Sequence, residues 1–185
     1  MTRRRSIIAQ RKPIFLGCEG ESEQAYGQVL NDLVREKHFH LEVVNLSPGA
    51  GDPITRLRKA DREITRRRQR RSEFLLRAVL MDSDLVDRDV QLRWQAEQFA
   101  KSLRIRIIWQ EPCHEAFLLR HLDRFAQNRP PTSTSAEAAL KVAWPDYHKA
   151  MTKMQLARRI DLDAVRRAAC VEPALYAFLH EIRLV

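Results

Sequence analysis

The sequence has no apolar run near the roughly 20 residues that a membrane-spanning helix needs, which excludes a membrane-embedded protein. Ile7 and Ile8 lie between basic residues and form too short an apolar segment for a secretory signal, so we expect a cytoplasmic location. The three cysteines, an odd number without C-x-x-C spacing, indicate neither a disulfide framework nor a thiolate zinc site. Glycine is scarce, and neither a G-x-G-x-x-G fingerprint nor a Walker A sequence occurs, so any ATP hydrolysis must come from another chain.

The positive charge is concentrated in two segments. The 185 residues carry a net charge of +9, and 44% of them are hydrophobic, which suits one domain with an ordinary core. Residues 56–71 contain nine basic and two acidic side chains, and residues 1–12 add five more basic ones, so the rest of the chain is slightly acidic. A focused positive potential attracts polyanions, which makes nucleic acid the first expected partner and an acidic protein surface the second.

Strand and helix patterns alternate four times along the first two thirds of the chain. Apolar strands are predicted at 13–18, 41–46, 74–81 and 105–109, and helices at 22–37, 54–71, 88–102 and 116–125. Alternation of this kind predicts an α/β fold with a mostly parallel four-stranded sheet flanked by helices. The proline-containing stretch 129–135 divides the chain into two parts. Residues 1–128 are expected to form a catalytic domain with a basic N-terminal arm. Residues 129–185 are expected to form a helical C-terminal extension that packs on the same domain. Helices are predicted there at 136–143, 147–159, 163–169 and 173–182.

Acidic residues follow three of the four predicted strands. In a parallel sheet the carboxyl ends of the strands share one edge, where ligands bind. Two aspartates at positions i and i+2, placed where a strand ends, can both turn toward one hard cation such as Mg²⁺ or Mn²⁺. An isolated D-x-D sequence is also a common solvated turn. A metal site is favoured here because acidic residues follow the other strands as well. The acidic groups are Glu19 with Glu21, Asp82 with Asp84, and Glu111 with Glu115.

Three ordered motifs resemble the RloB-like family, a branch of the TOPRIM proteins. The segment Phe15-Leu-Gly-Cys-Glu-Gly-Glu-Ser-Glu23 is similar to the C-E-G-E-x-x-E element of that family, and Asp82-Ser-Asp84 is similar to its D-x-D element. The segment Glu111-Pro-Cys-His-Glu-Ala-Phe-Leu-Leu-Arg-His121 resembles the family element N-P-C-F-E-x-W-L-L-x-H, with Glu111, His114 and Phe117 as departures. The resemblance covers most of residues 13–125.

The resemblance implies a TOPRIM or Rossmann-like sheet that carries a Mg²⁺ or Mn²⁺ centre for cleaving phosphodiester bonds. Carried over by position, Glu19, Asp82 and Asp84 would be the catalytic residues, with Asp82 and Asp84 holding the metal while Glu19 completes its shell or acts as a general base. Glu21 and Glu115 are candidates for a second ion, although each also fits an ordinary acid at a helix N-terminus. Family relatives occur in phage-defence loci beside a separate ATPase, so the resemblance also implies an ATPase partner.

The arginine-rich helix is the expected nucleic-acid contact. Guanidinium groups bind phosphate oxygens with matched geometry, but such contacts do not distinguish DNA from RNA. The same side chains could form a merely solubilising face. The predicted contacts are Arg66, Arg67, Arg68, Arg70 and Arg71.

Two functions remain open on the sequence alone. The first is a Mg²⁺-dependent endonuclease that cleaves DNA or RNA, with tRNA as one possible substrate, as the effector of a phage-defence system controlled by an ATPase. The second is a non-catalytic module that binds nucleic acid or a partner on a TOPRIM scaffold. The C-terminal helices could make a homodimer or bind the ATPase through an apolar set of Leu175, Phe178, Leu179 and Ile182.

Overall fold

Four parallel strands form the centre of the protein. The computed structural model describes residues 11–47, 51–68 and 73–185. The strands lie in the order β2, β1, β3, β4, and every neighbouring pair is parallel, which confirms the predicted α/β class. They are β1 (Lys12–Cys18), β2 (Phe39–Asn45), β3 (Leu76–Asp82) and β4 (Arg106–Gln110).

Helices cover both faces of the sheet. The helices between the strands are α1 (Glu21–Val34), with a 3-10 turn at Arg35–Lys37, then α2 (Pro53–Arg68) and α3 (Val90–Ser102). Side chains alternate across β1, so Leu16 packs with α1 while Phe15 packs with α2 and α3. Burial on both faces explains why β1 and β3 are nearly continuous apolar runs. The order of the strands reverses at β1 and β3, and this is where doubly wound sheets bind ligands.

The C-terminal extension packs on the face that carries α1. After α4 (His114–Leu119) the chain forms α5 (Ser133–Ala143), α6 (Lys153–Leu156), α7 (Leu162–Ala169) and α8 (Pro173–Glu181). The apolar residues of α7 and α8 join the cluster that contains Ile14 and Leu16. No helix over the described ranges is both long enough and apolar enough to cross a membrane.

Two predicted helices are shorter in the structure. The predicted helix 147–159 is reduced to α6, because Thr152 begins it with a capping box in which Thr152 and Gln155 satisfy each other's backbone N–H groups. The predicted helix 116–125 ends at Leu119, where the N–H groups of His121 and Leu122 bond to carbonyls three residues back and tighten the last turn.

The apolar set expected to bind a second copy or an ATPase is not available for either. Leu175, Phe178, Leu179 and Ile182 are all fully buried against the protein's own core. The sequence pattern correctly marked an apolar helix face, but that face is covered by the same chain.

A buried arginine ties the extension to the sheet. Arg120 is fully buried, its Nε lies against Glu172 Oε1 at the start of α8, and its Nη2 donates to the carbonyl of Glu111 at 2.9 Å. Burial lowers the pKa of Arg120, and Glu172 is the main group that opposes this shift. Glu172 therefore compensates part of the cost of burying this charge.

We expect Glu172→Ala to lower the free energy of unfolding by about 3 kcal/mol, because it leaves a buried cation without its partner. Glu181→Ala is the matched control, since it removes a carboxylate that pairs with Arg106 between the same extension and the sheet. Glu181 is half-exposed, so its loss should cost less than about 1 kcal/mol. Urea unfolding followed by circular dichroism measures both changes in the free energy of unfolding. Equal decreases for the two variants would contradict the expectation that the burial of Arg120 makes its ion pair the more important one.

Candidate functional site

The acidic residues after three strands meet at one edge of the sheet. Cys18 pairs with Leu80, and Asp82 pairs with Gln110, so β1, β3 and β4 end side by side. Glu19 directly follows β1, Asp82 is the last residue of β3, and Glu115 lies in the first turn of α4 after β4. The structure thus brings together the strand ends that the sequence predicted to share one site.

Glu19 links the end of β1 to β3 and to α2. Its Oε2 accepts a hydrogen bond from the backbone N–H of Asp82 at 3.0 Å, and its Oε1 lies 2.6 Å from Arg56 Nη2. Arg56 is a buried residue of the first turn of α2. Both carboxylate oxygens of Glu19 therefore have partners within the protein.

Asp82 is the least satisfied carboxyl group of the site. Its Oδ1 is buried and has no hydrogen-bond partner among the described residues. Burial, followed by the charges of Glu23, Glu19, Asp84 and Glu115, raises the pKa of Asp82 to about 9. At neutral pH the side chain consequently carries a proton unless a cation takes its place.

An open cleft of about 400 Å³ lies beside Asp82. Glu23, one helical turn beyond Glu19, is only 5% exposed, and Gly20 lets it approach, since a Cβ at Gly20 would lie 3.1 Å from Glu23 Oε2. The cleft is lined by Gly20, Glu21, Ser22, Glu23, Asp82, His114, Glu115, Lys149 and Ala150. The cleft is therefore lined by carboxyl groups near the strand ends and by residues of the C-terminal extension.

Glu115 is held by the extension. The hydroxyl of Tyr147 donates to Glu115 Oε1 at 3.2 Å, and the Nζ of Lys149 lies 3.6 Å from the same oxygen. Both residues fall in the segment between α5 and α6. The extension thus fixes one of the predicted metal ligands.

His114, another residue of the cleft lining, is almost fully buried. Gln110 Nε2 lies 2.7 Å from His114 Nδ1, and because an amide nitrogen only donates, Nδ1 accepts this bond. The other ring nitrogen, Nε2, is buried without a hydrogen-bond partner among the described residues. Burial lowers the pKa of His114, against the opposing charges of Glu23 and Glu115, so the ring is neutral.

The predicted site residues are not equally placed. The cleft lining includes Asp82, Glu115 and Glu21. Glu19 is not part of that lining, but it contacts the backbone of Asp82. Asp84 is exposed, with its Oδ2 3.4 Å from Ser133 Oγ. The sequence analysis did not predict a second set of residues that lie in or beside the site. That set is Glu23, Arg56, Gln110, Tyr147 and Lys149.

Only Glu23 and Arg56 left a signal in the sequence. Glu23 lies four residues after Glu19, a spacing that places both near one face of a helix start. Arg56 lies in the first turn of α2, the helix that follows β2, and β2 ends at the same edge of the sheet as β1. Tyr147 and Lys149 carry no such pattern, because they reach the site from more than 30 residues beyond Glu115.

The site offers the oxygen donors that a hard divalent cation prefers, although the side chains are not arranged around one. Among the described ranges, no group of three or more His, Cys, Asp or Glu side chains has the spacing to hold a metal ion. Glu19 turns toward Arg56 instead. The unpartnered Oδ1 of Asp82, buried among carboxyl groups, fits Mg²⁺ or Mn²⁺ in its chemistry.

The predicted nucleic-acid contacts divide into two kinds. Arg66 and Arg68 are exposed, and each lies near one carboxylate, Glu63 at 2.8 Å and Glu73 at 3.8 Å. Arg67 is half-buried and pairs with both Glu63 and Glu42. Arg70 and Arg71 lie outside the described residues. The exposed face of α2 is continued toward the site by Arg58 and Arg62.

Comparison with known proteins finds no matching family model, no similar curated protein and no similar solved structure.

Asp82 makes the stability of the metal-free protein depend on pH. Its pKa is about 9 in the folded protein and about 3.9 in the unfolded chain, so between these values the folded state alone holds the proton. The free energy of unfolding is expected to fall as pH rises from about 4 to about 9. We expect Asp82→Asn to remove this dependence and to raise the free energy of unfolding at pH 8 by about 2 kcal/mol.

Asp84→Asn is the matched control, because Asp84 lies two residues away and is exposed. Urea unfolding between pH 5 and pH 9 in the presence of a chelator measures both variants. A wild-type protein and an Asp82→Asn variant with the same dependence on pH would contradict the assignment.

Proposed function

We propose that this protein is a Mg²⁺-dependent endonuclease that cleaves phosphodiester bonds in DNA or RNA. The observation that carries the proposal is the buried carboxyl group of Asp82, whose Oδ1 has no partner among the described residues and which lies among Glu19, Glu23, Asp84 and Glu115. Such a group binds either a proton or a cation. Its place at the reversal point of the sheet is the usual ligand position in this class of fold.

Asp82 and Asp84 would hold the metal, and Glu19 would complete its shell or accept a proton from the attacking water. Bound Mg²⁺ would stabilise negative charge on the phosphate oxygens. Glu115 and Glu21 stay candidates for a second ion, and Glu23 joins them by its place in the cleft. Arg56 orients the Glu19 carboxylate through its 2.6 Å contact.

Metal binding at Asp82 would be coupled to the loss of a proton from its carboxyl group. Because its raised pKa keeps Oδ1 or Oδ2 protonated near pH 7, the carboxyl group must lose this proton before it can bind a cation. Metal affinity should therefore increase with pH up to about 9. His114, which is neutral, would offer its free Nε2 to a ligand in the cleft without adding charge.

The exposed arginines of α2 supply the contact to nucleic acid. Arg58, Arg62 and Arg66 lie at helical spacing on the exposed face, and phosphate groups would bridge their like charges. The resemblance to the RloB-like family supports an ATPase partner, a role in phage defence and a cytoplasmic location as parts of the same proposal.

A non-catalytic binding module is the second candidate. The observation that favours it is Glu19, whose two oxygens are already used by Arg56 and by the backbone of Asp82. In that case nucleic acid would bind with the usual dependence on salt, and neither chelator nor substitution of Asp82 would alter it.

We expect the wild-type protein to cleave plasmid DNA, single-stranded DNA or total tRNA with Mg²⁺ or Mn²⁺, and to stop when the metal is chelated. Glu19→Gln and Asp82→Ala should each lower the rate about 100-fold or more, because each removes a group at the metal. Glu36→Gln is the control, since Glu36 is an exposed carboxylate at the opposite edge of the sheet. Equal rates in all four proteins would refute the proposed site.

We expect Arg62→Ala and Arg66→Ala to weaken binding of an oligonucleotide and to lower its dependence on salt by about one phosphate contact each. Arg67→Ala is the internal comparison. Among the described residues, Arg66 pairs with Glu63 alone and is mostly exposed. Arg67 is held by both Glu63 and Glu42 and is mostly buried, so its loss should mainly affect stability. Fluorescence anisotropy at several salt concentrations measures the affinities. A greater loss of binding for Arg67→Ala than for the exposed pair would contradict this division.

A further inference from the structure

The C-terminal extension reaches back into the acidic cleft. The segment between α5 and α6 is anchored by Tyr147 and Met151, both of which are buried in the core. Beyond it, Lys153 Nζ lies 2.7 Å from Asp32 Oδ2 on α1. The position of Lys149 within this segment is thus fixed from both sides.

Lys149 brings a positive charge to the mouth of the cleft. Its Nζ lies 3.6 Å from Glu115 Oε1 and 3.2 Å from Glu137 Oε2, yet its side chain is 65% exposed. Among the described residues that line the cleft, Lys149 is the only lysine or arginine. The two carboxylates raise its pKa, Glu115 most, so the ammonium stays charged.

Neither ion pair explains why the ammonium is there. An ion pair this exposed contributes little to stability, and Glu137 already has Lys141, whose Nζ lies 2.7 Å from Glu137 Oε1. The other cation near the site, Arg56, is buried and occupied by Glu19. Among the described residues that line this carboxylate-rich cleft, Lys149 is therefore the one positively charged group that an entering phosphodiester could meet.

We propose that Lys149 is a substrate-contacting residue, whose ammonium group pairs with a phosphate oxygen of the nucleic acid bound in the cleft. This inference rests on the proposed function and extends it, because it places the C-terminal extension in the substrate site. The side chain of Lys149 is 65% exposed, so it has room to leave Glu115 and reach a phosphate oxygen, and it would do so more readily if Glu115 held a cation.

The test measures binding and cleavage separately. Affinity for a short fluorescein-labelled oligonucleotide is measured by anisotropy at several salt concentrations, with Ca²⁺ in place of Mg²⁺ to slow cleavage. We expect Lys149→Met to bind about 5-fold more weakly and to show a salt dependence lower by about one phosphate contact. Lys149→Arg, which keeps the charge, should bind nearly as the wild type does.

Lys141→Met is the matched control. It removes the same charge from the same partner, Glu137, but Lys141 does not line the cleft, so its affinity should equal that of the wild type. Thermal unfolding checks that all variants fold. Equal affinities for Lys149→Met and Lys141→Met, or a loss that Lys149→Arg does not restore, would overturn the inference.

The cleavage assay with Mg²⁺ distinguishes the two proposals. A wild type that binds but does not cleave would refute the nuclease, while the relative affinities would still decide the role of Lys149. A wild type that does not bind nucleic acid would overturn both.

Discussion

Like charges held away from water are the constraint on which this site depends. Glu19, Glu23, Asp82 and Glu115 lie in a region where carboxylates repel one another more strongly than in solvent, and the protein compensates them unequally. Glu19 has a guanidinium, and Glu115 has a hydroxyl and an ammonium, whereas the Oδ1 of Asp82 has no partner among the described residues. This uneven compensation is the reason for proposing Asp82 as the position of an external cation.

The two layers of helices serve this site in different ways. The α2 side supplies Arg56 from one face of the sheet, and the α1 side supplies Glu23 from the other. The C-terminal extension adds Tyr147 and Lys149, and the buried pair of Arg120 and Glu172 holds that extension in place. Packing far from the cleft therefore determines which charges meet inside it.

The parts of this arrangement that local patterns control could be predicted from the sequence. Apolar runs that end in acids placed Glu19 and Asp82 at strand ends, and parallel topology then required the two to be neighbours. Lys149 could not be found in this way, because its position depends on how a distant segment packs. Helical periodicity also predicted, wrongly, that Lys149 belongs to a helix. Arg66 and Arg67 were predicted to share one role, yet Arg67 is mostly buried against Glu42 and Glu63 while Arg66 is exposed.

The segment that carries Tyr147 and Lys149 also affects when the site is complete during synthesis. Glu19 leaves the ribosome about 130 residues before Lys149, so a nascent chain has its carboxylates long before it has the ammonium that faces them. The buried pair that secures the extension forms later still, because Glu172 follows Lys149 by 23 residues. A partly synthesised chain therefore lacks the finished cleft, which for a proposed nuclease delays activity until the C-terminal extension has emerged.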